Sequence, residues 1–207
     1  MTWLRDNGLT LVLLALFGLS IGGQAYAGWL AAIEEMGRHG AAAPGFGEYV
    51  SDGEFLATVF ENWESEFLQM SAYVVLTAHL FQRGSAESLD PDDPDRERDK
   101  VGPSLWDKLF AHSLGIAMGL LFAVSFALHL FYSAEHAAEE ARLHGEAAPR
   151  LTEHLADSQF WFESFQNWQS EFLSTAVLVV LSIYLRERGS PESKPVQAPN
   201  SETGVSE

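Results

Sequence analysis

Shifted against itself, the chain aligns without gaps at an offset of 105 residues, which carries Phe60 onto Phe165. Phe60-Glu-Asn-Trp-Glu-Ser-Glu-Phe-Leu68 falls on Phe165-Gln-Asn-Trp-Gln-Ser-Glu-Phe-Leu173. Arg83-Gly-Ser-Ala-Glu-Ser88 falls on Arg188-Gly-Ser-Pro-Glu-Ser193, and 16 of the 29 positions from 60 to 88 are identical to their partners. Upstream, Glu34-Glu35 falls on Glu139-Glu140, and His39-Gly40 on His144-Gly145. Such density marks a duplication, so any fold must be assembled from two copies of one unit.

Hydrophobic patterning says what the unit is. Two long apolar segments, Leu9–Ile33 and Leu109–Tyr132, exceed the roughly 20 residues needed to cross a bilayer. Two shorter ones, Phe67–Phe81 and Phe172–Leu185, reach that length only by drawing in Trp63–Glu66 and Trp168–Glu171. Ala25-Tyr26-Ala27 has the small-x-small form of a signal-peptide cleavage site. The counterpart of that segment lies in mid-chain, where no signal peptide can be, so it reads as a span.

The expected fold is all-α: a four-transmembrane-helix bundle made of two parallel two-helix repeats. Amphipathic interfacial segments precede the second and fourth helices, and a pseudo-two-fold axis along the membrane normal relates the units. The first unit takes residues 1–88 and the second 105–193. Residues 89–104, charged and Pro-punctuated, read as an acidic cytoplasmic linker, and 194–207 as a disordered tail. Nine of the 12 basic residues lie in or beside the N-terminus, the linker and the tail (Arg5, Arg83, Arg96, Arg98, Lys100, Lys108, Arg186, Arg188 and Lys194), which puts both termini in the cytoplasm.

Composition excludes several chemistries. With 29 acidic residues against 12 basic and a net charge of −17, the chain is a poor partner for nucleic acid. It has no cysteine, so thiolate metal sites and thiol nucleophiles are absent. No phosphate-binding loop, dinucleotide fingerprint, serine elbow or His-Glu-x-x-His is present, and the chain reads as a non-enzyme that needs no cofactor.

Two constellations could carry chemistry. Asn62, Ser65 and Glu66 lie at i, i+3 and i+4 on one helical face, and Gln69, Tyr73 and Thr77 roughly continue it. The second copy supplies Asn167, Ser170 and Glu171. Lipid cannot satisfy these groups, so the face should point inward, with Glu66 and Glu171 a paired carboxylate site for a proton or cation. The structural alternative makes the motif an interfacial one, with Trp63 and Trp168 as anchors. His129 aligns with Gln24, so a polar group recurs there within reach of the Glu-bearing face. The second constellation is His136, Glu140 and His144, at i, i+4 and i+8, a spacing a divalent metal could use and an acidic helix could carry by chance. Gly18-x-x-x-Gly22 and Gly115-x-x-x-Gly119 read as close-packing surfaces.

The repeated Phe-x-Asn-Trp-x-Ser-Glu-Phe-Leu and the trailing Arg-Gly-Ser-x-Glu-Ser resemble an uncharacterised family of small bacterial integral membrane proteins, a domain of unknown function. That resemblance implies a bacterial plasma membrane and no particular mechanism. The expected role is a non-enzymatic scaffold or accessory protein whose partner is the lipid bilayer and, in oligomers, its own copies. The alternatives are a small proton- or cation-coupled transporter or channel, and a divalent-metal-binding outer-surface protein.

Overall fold

The computed structural model describes residues 2–38, 42–92 and 101–204. The central residues 93–100 of the expected linker, His39 and Gly40 of the repeat, and residues 205–207 lie outside the described residues. Among the described residues the chain is all-helical. Its elements are α1 (Thr2–Asp6), α2 (Gly8–Arg38), α3 (Phe46–Tyr49), α4 (Gly53–Thr77), α5 (Leu105–Ala111), α6 (Ser113–Leu143), α7 (Leu151–Leu155) and α8 (Ser158–Tyr184).

The duplication is visible in the local chemistry. The long helices α2 and α6 have 31 residues each and start at equivalent positions. Asp52 caps α4 by accepting from Glu54 N–H, and Asp157 caps α8 by accepting from Gln159 N–H. An aspartate N-cap is worth about 1 kcal/mol, so both helices have a defined start. Ser65 Oγ donates to the Asn62 carbonyl at 2.8 Å, and Ser170 Oγ to the Asn167 carbonyl at 2.8 Å. Beyond each helix a glycine at φ +86°, Gly84 or Gly189, turns the chain through a conformation that other residues rarely adopt.

Tertiary contacts within each unit repeat as well. Trp63 packs on Phe17 with ring centroids 6.0 Å apart, and Trp168 packs on Phe122 at 6.3 Å. In the first unit Tyr49 lies against Gly28, where any added side chain would overlap its hydroxyl. In the second unit His154 takes the place of that tyrosine, and its Nε2 meets Ser133 Oγ at 2.8 Å.

By length and composition, α2 and α6 are two helices able to cross a membrane. The segments expected to approach the second and fourth spans along the interface are instead the first halves of α4 and α8, continuous with the apolar halves. Neither Gly nor Pro interrupts either helix after its first residue, so nothing breaks the backbone there.

The principal interface joins the units: α4 lies along α6, and α8 packs against α4. Gly115 and Gly119 lie on this interface, where a Cβ would make ordinary contact with Val75 (3.5 Å) or Ser71 (3.6 Å). No comparable interface joins α2 to α8, so the units do not close on each other as a two-fold pair.

Burial is inverted relative to a water-soluble protein. Glu64, Ser65, Ser125, His129, Ser164 and Ser182 are inside, while Leu, Phe and Val side chains cover the outside of the long helices. Residues 190–204 run differently from a solvated tail: they fold back as turns onto the end of the first unit. Buried Lys194 donates to the carbonyls of Gly84 (2.5 Å), Glu202 (2.9 Å), Asn200 (3.2 Å) and Pro199 (3.3 Å). Gly204 N–H adds a 2.8 Å bond to the Ser85 carbonyl, and the Ser85 and Ser182 hydroxyls meet at 2.8 Å.

Candidate functional site

The least expected group in the interior is a charged one. Glu64, in the middle of α4, is 0% exposed and His129 of α6 is 1% exposed. His129 Nδ1 stands 3.0 Å from Glu64 Oε2, and the Trp168 indole N–H of α8 donates to Glu64 Oε1 at 3.1 Å. Three helices therefore converge on one carboxylate. Phe160, fully buried, lies against the imidazole with centroids 4.8 Å apart, and Phe126 packs on Phe160 at 5.7 Å. A lone carboxylate in such surroundings would be very costly, and the imidazole and indole donors are what make it tolerable. One turn from Trp168, the Ser164 hydroxyl is buried without a partner.

A second set of polar groups runs along α4 toward α8. Glu61, Ser65, Gln69, Tyr73 and Thr77 follow one another at i, i+4 and so form one stripe. Glu61 accepts from the Asn167 amide at 2.6 Å, the Gln69 amide meets the Thr175 hydroxyl, and the Tyr73 hydroxyl donates to Glu87 at 2.7 Å. Glu61 also feels the charges of His129, Glu163 and Glu64, which ties the stripe to the buried pair. At the Tyr73 end the helices part around a cavity of about 380 Å³, lined by apolar residues such as Leu76, Leu80, Phe172 and Val179. Glu87, which borders this cavity outside the helices, is pushed above the usual carboxylate range by burial and by neighbouring Glu192, against the lowering effect of the Tyr73 hydrogen bond.

The structure distributes the residues of the expected stripe over several environments. Ser65 is buried, Asn167 is half-buried and bonded to Glu61, and Ser170 is exposed. Asn62 and Glu66 are exposed, Asn62 bonding back to the Thr58 carbonyl at 2.8 Å. Glu171 is half-buried and near enough to feel the charge of Glu66. Trp63 makes its contacts through its rings, with Phe17 and Phe60, whereas Trp168 is a hydrogen-bond donor to the buried carboxylate.

His136 and His144 separate. His144 Nδ1 turns to the Glu140 carbonyl at 2.9 Å, away from any shared ligand set. His136 instead converges with Asp52 and Glu54, one ligand atom from each lying within 4.8 Å of the others. Asp52 already accepts the Glu54 N–H as the α4 cap.

With this geometry in hand, comparison with known proteins gives a family and no activity. The chain belongs to the family described as Domain of unknown function (DUF6766), whose model matches residues 1–205. No curated protein and no solved structure matches it.

Proposed function

We propose that this chain is a four-pass protein of a bacterial cytoplasmic membrane, with both termini inside, that takes up and passes protons along α4, where it packs against α6 and α8. The observation that carries the proposal is the sealed Glu64–His129 pair. Ionisable groups inside a membrane are costly, and proton relays and ion pathways are among the roles they mark. The inverted burial supports the membrane setting, since apolar side chains cover the long helices and polar ones fill the interior. The nine-to-three bias of basic residues supports the orientation. The stripe Glu61–Ser65–Gln69–Tyr73, ending at Glu87, supplies protonatable or hydrogen-bonding groups along α4 on both sides of the pair.

On this reading the pair holds one exchangeable proton. With it, Glu64 and His129 carry no net charge together. Without it, a negative charge is left among Phe160, Phe126 and Trp168, and the Trp168 N–H is placed to stabilise it.

A second reading, a non-enzymatic scaffold or accessory subunit, is favoured by one observation: Glu64 clamps α4, α6 and α8 together through His129 and Trp168. Here the pair would specify helix packing and move nothing.

Proton flux in proteoliposomes separates the two. The comparison is wild type against the Glu64→Gln, His129→Gln double variant, which installs the neutral amides that the repeat carries at Gln169 and Gln24. Flux that is lost in a folded variant supports the proton pathway. Absence of flux from wild type removes it and leaves the clamp.

A further inference from the structure

The α4–α6 interface is a head-to-tail contact between two copies of one unit. A contact of that kind always leaves its two halves unused at the ends of the array. Here the unused halves are the face of α8 equivalent to α4 and the face of α2 equivalent to α6.

The α4 face is Gly53, Phe60, Glu64, Ser71 and Val75, and the equivalent α8 face is Ser158, Phe165, Gln169, Ala176 and Val180. The α6 face is His136, Tyr132, His129, Gly119 and Gly115, and the equivalent α2 face is Ala31, Ala27, Gln24, Leu14 and Thr10. All five α8 residues are exposed, as are all on α2 except the half-buried Gln24. Within one chain the faces are complementary in the same register. Phe60 stacks on Tyr132 at 5.7 Å, and Glu64 meets His129 at 3.0 Å.

A second observation points to what covers these faces. Gln24 and Gln169 stand where the buried pair stands in the other interface, and among the described residues neither amide has a side-chain hydrogen bond. In lipid such amides lack partners, and interhelical amide pairing is a recurrent source of association there.

We propose that a second copy of this chain lays its α2 on α8 of the first, in the register that α6 takes on α4, with Gln24 of one chain facing Gln169 of the other. The chains thus continue the operation that relates the two units, giving a closed ring of at least two chains in one membrane. Bulk is redistributed along the contact: Leu14 and Thr10 widen one end, and Ala27 and Ala31 let the helices approach at the other. The arrangement does not depend on proton movement.

The absence of native cysteine makes the test clean. A Cβ at Gly53 would lie 3.6 Å from His136 Cβ, within disulfide range, and the equivalent pair across chains is Ser158 and Ala31. Membranes are prepared from cells making two differently tagged chains, one Ala31→Cys and one Ser158→Cys, and oxidised. The expected product is a mixed dimer at twice the 22.8 kDa of one chain, carrying both tags. A Gly53→Cys, His136→Cys chain, which closes on itself, is the positive control for oxidation. A working control without mixed dimer overturns the proposal. So does an Ala31→Cys, Ser158→Cys chain that closes within itself at monomer mass in the presence of excess cysteine-free chain.

Discussion

Glu64 and His129 meet 3.0 Å apart in an interior closed to solvent, joined by no other ionisable side chain among the described residues within hydrogen-bonding distance. Their coupling should be visible in stability. Glu64→Gln or His129→Gln alone leaves the other group imperfectly matched and should cost about 3 kcal/mol. The double variant should cost clearly less than the two singles together. Thermal unfolding in detergent, arranged as a double-mutant cycle, reads the difference, and strict additivity would contradict the pairing.

Equivalent tryptophans should differ in worth. Trp168→Phe removes the donor to Glu64 and should cost about 2 kcal/mol, as expected for a bond to a charged group. Trp63→Phe removes no such bond and should cost less. Equal losses in denaturation of the two variants would mean that the Trp168 bond contributes nothing.

Gly84 and Gly189 provide a matched pair of another kind. Both sit at φ +86°, so alanine at either is strained by roughly 1 kcal/mol. At Gly84 the new Cβ would also lie 2.6 Å from the Asn200 carbonyl, whereas Gly189 has open space around it. Gly84→Ala should therefore lower the melting temperature several degrees more than Gly189→Ala.

His154 gives a pH prediction. Burial of the ring against Phe160 lowers its pKa below the ordinary 6.5, with nearby Asp157 and Glu163 opposing. The folded state then binds fewer protons than the unfolded one, so this residue's contribution is intact above pH 6.5. It is lost as the pH falls through the lowered value. Unfolding followed by tryptophan fluorescence at pH 7.5 and pH 5.5 should show a loss at the lower pH that His154→Gln reduces.

The all-helical class was legible in the hydrophobic patterning, and several local features recur at the 105-residue offset. The caps at Asp52 and Asp157, the Ser65 and Ser170 back-bonds and the turns at Gly84 and Gly189 all follow the same offset. The site was less legible. Helical periodicity groups Asn62, Ser65 and Glu66, but α4 touches two partners at once, and only their positions decide which acid is buried. Glu61 faces α8 and Glu64 faces α6, while Glu66 faces out. The useful sign lay in how the repeats differ. Glu64 and His129 both become glutamine in the other copy, a paired change that periodicity alone does not register. For the same reason, spacing along one helix grouped His136 with Glu140 and His144, while Asp52 and Glu54 arrive from a distant part of the chain. The tail was misjudged by composition, because a single lysine that finds four carbonyls can order a segment with little apolar content.

That lysine also sets an order of events during synthesis. Lys194 is translated 110 residues after the Gly84 carbonyl that it binds. The first helical pair must therefore wait, with its closing turn unlatched, until the 110 residues from Gly84 to Lys194 have been made. A product terminated just short of Lys194 would hold α2, α4, α6 and α8 and still present an open end, a distinction that cellular proteolysis is well suited to read.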